Sequence, residues 1–218
     1  MFKNIKAAIF DLDGTLIDSM GIWSKIDIDF LKKRNIEVPS DLKDNIESLG
    51  FEETSKYFKK RFNLHETIEE IQNEWFNMAY KEYSNNISLK PYAKEFLEFL
   101  RKLGFKIALT TSNCNLLIQA TLKKNNIAHL FDVITTTDEV SRGKSFPDVY
   151  LLTAKKLNIA PFECIVFEDI LPAVKGAKAA GMKVIGVHDT FSEYQKDIIM
   201  SHADKYINNF NELTEKAV

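Results

Sequence analysis

Residues 9–19 read IFDLDGTLIDS and place two carboxylates, Asp11 and Asp13, one residue apart at the end of an apolar run. Like charges at that spacing repel, and burying either one is costly. A chain that needed only a turn after a strand has no use for such a pair. The run before it, 7–10, is short, apolar and strand-like. Similar runs occur at 106–109, 133–134, 164–167 and 183–187. Between the later ones lie stretches with apolar residues at helical spacing, at 91–103, 116–124, 147–157 and 173–180, two of them stopped by Gly104 and Gly181. Strand–helix alternation predicts an α/β fold, a Rossmann-like parallel sheet with helices on both faces. Such sheets bind ligands at the carboxyl ends of their strands, where Asp11 and Asp13 would stand.

Residues 17–87 break that alternation and show no strand pattern. Trp23, Ile26 and Phe30 share one helical face, and Ile71, Trp75 and Met78 another. The spacing predicts a small all-α insert of three or four helices after the first strand, returning near Asn85-Asn86. The domains are therefore expected at 1–16 with 88–218 (the α/β core) and at 17–87 (the helical insert). Trp23, Trp75 and Tyr80 are expected to pack inside the insert.

The chain has 218 residues, 45% hydrophobic and 28% charged, with 16 Phe and 7 Tyr to build a core. A formal net charge of −2 gives no general attraction to nucleic acid or to an anionic membrane, so an anionic ligand needs a local positive site. Cys114 and Cys164 lack metal-ligand spacing and are expected to be reduced. No signal-peptide pattern and no apolar stretch near the ~20 residues of a membrane span is present, so the cytoplasm is the expected location.

Four patches carry chemistry. In Asp11-Leu12-Asp13-Gly14-Thr15, one carboxylate can attack and form a covalent intermediate while the other handles protons. The backbone amides of a Gly turn can face an anion, and a divalent cation would let the carboxylates sit beside a phosphate. The run 107–113, Ile-Ala-Leu-Thr-Thr-Ser-Asn, ends a strand in hydroxyl groups suited to phosphate oxygens. The segment 142–148 sets Lys144 beside Gly143, ahead of a Pro-started helix. A further strand ends in Glu168-Asp169, which could complete a hard-cation site, since Mg²⁺ takes oxygen ligands and few carboxylates.

Together, in this order and each after a strand, the four patches resemble the haloacid dehalogenase superfamily over almost the whole chain. The insert resembles that family's small helical cap, and the nearest likeness is to its β-phosphoglucomutase-like and sugar-phosphate phosphatase branch. The resemblance implies that Asp11 is the nucleophile, becoming an aspartyl-phosphate. Asp13 would be the general acid/base, with its backbone carbonyl on Mg²⁺. Thr111, Ser112, Asn113 and Lys144 would hold the phosphoryl group. Asp169 would ligate Mg²⁺ directly, and Glu168 would ligate it or stand just outside. Phosphoryl transfer needs in-line positioning and charge neutralisation, and these residues supply both.

Departures sharpen the reading. Ile170 and Ala173 stand where the family commonly has Ser and Gly. Trp23 stands where mutases carry a cap His, and residues 49–53, Leu-Gly-Phe-Glu-Glu, lack the Arg that reads a second phosphate. The expected function is a Mg²⁺-dependent phosphatase of small phosphorylated metabolites, with sugar phosphates foremost. The alternatives are a phosphosugar mutase using the same intermediate and a sensor without turnover. Side chains near Trp23, Phe51 and Tyr80 are candidates for selectivity. A cap that opens and closes fits a monomer.

Overall fold

The computed structural model describes residues 2–46 and 51–214. In chain order, β1 (Ala7–Phe10) is followed by four helices, α1 (Gly21–Lys32), α2 (Leu42–Ile46), α3 (Phe51–Arg61) and α4 (Ile68–Asn85). Then come α5 (Ala93–Lys102), β2 (Lys106–Thr111), α6 (Asn115–Lys124), β3 (Val133–Thr136), α7 (Asp148–Leu157) and β4 (Cys164–Glu168). The chain continues through α8 (Leu171–Ala179), β5 (Lys183–Val187), α9 (Lys196–His202), β6 (Lys205–Ile207) and α10 (Asn211–Thr214). These elements form two compact units. One holds the segments up to Met20 and from Ile87 onward, and the other is Gly21–Asn86.

In the first unit six parallel strands lie in the order β3-β2-β1-β4-β5-β6. The α/β expectation from strand–helix alternation is met. β1 is at the centre, its four residues wholly buried, as a strand covered on both faces must be. The period of two sorts its side chains. Ala7 and Ile9 join Ala108, Val166 and Val184 under Val149, Val174 and Ala177 of α7 and α8. Phe10 points the other way and stacks on Phe167, its register partner on β4, with centroids 4.3 Å apart. Phe96 of α5 and Phe210 close that second face with aromatic contacts.

β2 and β3 run two residues further than the apolar runs suggest, because their threonines continue the ladder. β6 and α9 are additions that no expectation covered.

The second unit is all helical over its described residues. Trp75 meets Phe58 edge-on at 4.9 Å and Phe30 at 5.5 Å, forming its aromatic centre. Thr67 and Glu70 make a reciprocal capping box that starts α4. The unit begins at Gly21, not at residue 17. Ile17 bridges to Leu89, and the Asp18 amide donates to the Ser88 carbonyl, which keeps 17–20 with the sheet.

Two expectations of buried aromatics need correction. The buried stripe of α4 is Ile71, Trp75, Ala79 and Tyr83, so Tyr80 falls about 100° off it and is 45% exposed. Met78 is likewise only half-buried. Trp23 lies in the first turn of α1. It makes an edge contact with Phe51 but remains 37% exposed, while Ile26 and Phe30 behind it are buried. Of the acidic segment at 49–53, Leu49 and Gly50 lie outside the described residues, and Glu52 pairs with Lys56 at 2.6 Å. Cys114 and Cys164 are free thiols. Among the described residues no helix is long and apolar enough to cross a membrane.

Candidate active site

Because the strands are parallel, their carboxyl ends share one edge. The Asp11 amide donates to the Phe167 carbonyl at 3.0 Å, the last ladder bond before β1 gives way to a turn. Gly14 makes that turn with φ of 84°, a left-handed conformation that favours glycine. Any Cβ there would stand 2.4 Å from Asp169 Oδ2, so the backbone needs a glycine to approach the β4 carboxylates.

The sheet edge brings together four of the residues singled out in the sequence. Lys144 Nζ donates to Asp11 Oδ1 and, at 2.7 Å, to Glu168 Oε1. Asp11, Glu168 and Asp169 are buried, and each offers an oxygen within 4.8 Å of the others. Among the described residues, Lys144 therefore pairs with two of these three carboxylates. Burial pushes the Asp11 carboxyl up, Lys144 opposes this and Asp13 adds to it. Burial, with the Asp11 charge, pushes Glu168 up to about 7, against the pull of Lys144. Burial, Asp11 and Glu168 hold Asp169 well above the usual carboxylate range. Burial disfavours the Lys144 charge, but Asp11 and Glu168 outweigh it and raise that group above its ordinary value.

The other residues divide. Thr111 is buried at the end of β2, where its hydroxyl accepts the Asn113 amide N–H at 3.0 Å. Ser112 is exposed beside it. The Asn113 side chain is already engaged, donating from Nδ2 to Asp13 Oδ2 at 3.0 Å. Three residues with no role assigned from sequence also enter the site. Ser19 donates to Asp13 Oδ1 at 2.7 Å, and Thr15 donates to Asp169 Oδ1 at 3.1 Å. Tyr150 of α7 donates its buried phenol to Glu168 Oε1 at 2.8 Å. Ser19 and Thr15 were visible as polar residues inside the opening motif. Tyr150 carried only the weak signal of an aromatic with a polar tip on an inward helical face.

The pattern for haloacid dehalogenase-like hydrolases matches residues 8–187. The chain belongs to this family. A phosphorylated carbohydrates phosphatase of Thermotoga maritima is 30% identical over 194 residues, covering 83% of this chain and 84% of that protein. Hexitol phosphatase B of Escherichia coli is 25% identical over 216 residues, covering 98% and 96%. A crystal structure from Thermotoga maritima, provisionally assigned as a β-phosphoglucomutase, superposes with a TM-score of 0.87. At 24% identity over 98% of this chain and all of that one, it shows the same fold.

The acidic cluster of this haloacid dehalogenase-like hydrolase suits a hard divalent cation. Its donors are all oxygens, and Asp11 Oδ2 and Asp169 Oδ2 are buried without a hydrogen-bond partner. A buried carboxylate oxygen left so is costly unless a cation or proton meets it.

This predicts a pH signature for the metal-free chain. The buried carboxyls have raised pKa values, so the folded state holds protons that the unfolded state releases. For Glu168 the stability is full below its ordinary 4.5 and is lost as pH rises through about 7. In chelator, the melting temperature should fall from about pH 5 to about pH 8. Mg²⁺ should raise it, and by more at the higher pH, because metal and protons compete for the same oxygens. A flat or rising profile in chelator, followed by calorimetry or fluorescence, would contradict this account.

Proposed function

We propose that the chain is a Mg²⁺-dependent phosphatase of small phosphorylated metabolites that works through an aspartyl-phosphate on Asp11. The observation that carries this reading is the setting of Asp11. One of its oxygens lies against the Lys144 ammonium, and the other is buried and unpartnered within an acidic cluster. An anionic phosphoryl group could not approach three carboxylates unaided. Lys144 supplies one positive charge there. Asp11, Asp169, Glu168 and the Asp13 carbonyl would hold Mg²⁺, which supplies further charge neutralisation for the phosphoryl oxygens.

In the first half-reaction an Asp11 oxygen bonds to phosphorus as the ester P–O bond breaks. Asp13 gives its proton to the departing oxygen, which leaves as an alcohol. In the second, Asp13 as carboxylate takes a proton from water while the water oxygen bonds to phosphorus. The Asp11–phosphorus bond breaks, inorganic phosphate leaves and both side chains return to their starting states. Thr111 and Ser112 stand at the end of β2 as further donors to the phosphoryl oxygens. The helical unit Gly21–Asn86 is read as the family's cap. The T. maritima relative acts, by its name, on phosphorylated carbohydrates, and the E. coli relative on hexitol phosphates, which supports sugar phosphates as the substrate class.

The test is phosphate release from a panel of phosphorylated sugars, polyols and small acids, with Mg²⁺ and with chelator. Release that needs Mg²⁺ and is fastest for sugar or polyol phosphates is expected. Conversion of a sugar 1-phosphate to its 6-phosphate faster than phosphate release would replace the phosphatase with a mutase. Release undiminished by chelator would refute the metal's part.

A further inference from the structure

The family resemblance implies that Asn113 helps to hold the phosphoryl group. Its contacts describe a different task. The backbone N–H of Asn113 donates to Thr111 Oγ1 at 3.0 Å, which fixes its main chain. Its side-chain Oδ1 accepts the Cys114 backbone N–H at 2.8 Å. A backbone N–H can only donate, so this bond sets which end of the amide is which. Nδ2 therefore faces Asp13, and it donates to Oδ2 at 3.0 Å across a separation of one hundred residues. β1 and β2 are paired neighbours, so the contact ties together the two loops that leave them.

Asn113 and Ser19 meet different oxygens of Asp13. Oδ2 meets an amide that cannot turn round without losing the Cys114 bond. Oδ1 meets the Ser19 hydroxyl at 2.7 Å, and a hydroxyl can donate or accept as its rotor turns.

We infer that Asn113 is a positioning residue for Asp13 and not a phosphate ligand, holding the Asp13 carboxyl group through Oδ2 in one orientation toward the leaving oxygen. The inference rests on the reading of Asp13 as the acid/base group. Its consequence falls on the leaving group. An alkoxide needs the proton as it departs, whereas p-nitrophenolate is a good leaving group and needs it little.

The experiment measures alcohol or phenol release in the first turnover by rapid quench. The substrates are the best sugar phosphate of the panel and p-nitrophenyl phosphate. Asn113→Ala and Asn113→Asp are compared with wild type and with Asp13→Asn. Asn113→Asp keeps an acceptor for the Cys114 amide while removing the donor, so it serves if Asn113→Ala does not fold. The expected result is a fall of about 10- to 100-fold on the sugar phosphate, little change on p-nitrophenyl phosphate and unchanged inhibition by inorganic phosphate. Equal losses on both substrates with weaker inhibition by inorganic phosphate would make Asn113 a phosphate ligand and overturn the proposal. Unchanged rates on both would overturn it too. Asp13→Asn separates the two levels. If it also spares the aryl ester, only the positioning role is at stake in the Asn113 variants. If it shows no such split, the acid/base reading of Asp13 falls first.

Discussion

Asp11→Asn is expected to abolish turnover, by on the order of 10⁴- to 10⁶-fold, while leaving a folded chain that melts higher than wild type in chelator above about pH 7. The two halves of this prediction come from the same geometry. The amide that replaces the carboxylate cannot attack phosphorus, and no other group in the cluster is placed to substitute, since Glu168 Oε1 is held by both Lys144 and Tyr150. Yet the carboxylate is a burden in the metal-free fold. Asp11, Glu168 and Asp169 are buried together, and among the described residues only Lys144 pairs with them, through Asp11 and Glu168. Neutralising one of the three lowers the repulsion and the desolvation cost, and Glu168 still pairs with Lys144. The checks are a multiple-turnover assay, acid-quenched mass spectrometry for phosphoprotein, and thermal melts in chelator. Wild type should show a transient phosphoprotein and the variant none. Residual turnover within about 100-fold of wild type would remove Asp11 from the nucleophile's role. A variant inactive because it is unfolded would instead contradict the electrostatic account.

The carboxyl edge of the sheet was legible in sequence because each element there announces itself locally. Short apolar runs lead into Asp11, into Thr110-Thr111 and into Glu168-Asp169, and a parallel sheet brings such ends to one side. Lys144 was legible as a cation beside a glycine, although nothing in its surroundings gave its partners. Contacts decided by packing were not legible. The three-residue β6 carries too little pattern to be seen alone. Trp23 and Tyr80 lie on helices as expected, but a shift of one residue, about 100° of rotation, separates a buried position from an exposed one. Asn113 was recognised as a site residue, but its partner was not, because that contact spans one hundred positions and depends on which way an amide faces. Tyr150 illustrates the same limit, since a helical aromatic reads as core until its hydroxyl is found on Glu168.

Gly176 supplies the second large effect, and here local propensity and packing oppose each other. It lies in the body of α8, where replacing glycine with alanine ordinarily stabilises a helix by about 1 kcal/mol. A Cβ at Gly176 would stand 2.0 Å from the Lys144 carbonyl oxygen and 2.9 Å from that of Phe146. Both are main-chain atoms, so no side-chain rotation relieves the overlap. Either α8 moves off the sheet or the 144–146 loop moves outward. The helix is anchored by Val174 and Ala177 in the core, whereas the loop is held by Lys144 on Asp11 and Glu168 and by the exposed Arg142–Asp148 pair. The loop is therefore expected to yield, withdrawing the ammonium from Asp11 and Glu168. Gly176→Ala should then lose roughly 1–3 kcal/mol of stability, opposite in sign to the propensity. It should also lose activity well beyond what its unfolded fraction explains. Gly143→Ala is the control in the same loop, since a Cβ there meets nothing within 4 Å, and it should fold with near-native stability. Denaturant unfolding gives the stabilities, and activity measured under strongly native conditions isolates the displacement of Lys144. If Gly176→Ala proved as stable as wild type and fully active, the close approach of α8 to the lysine loop would not be what holds Lys144 over the acidic cluster.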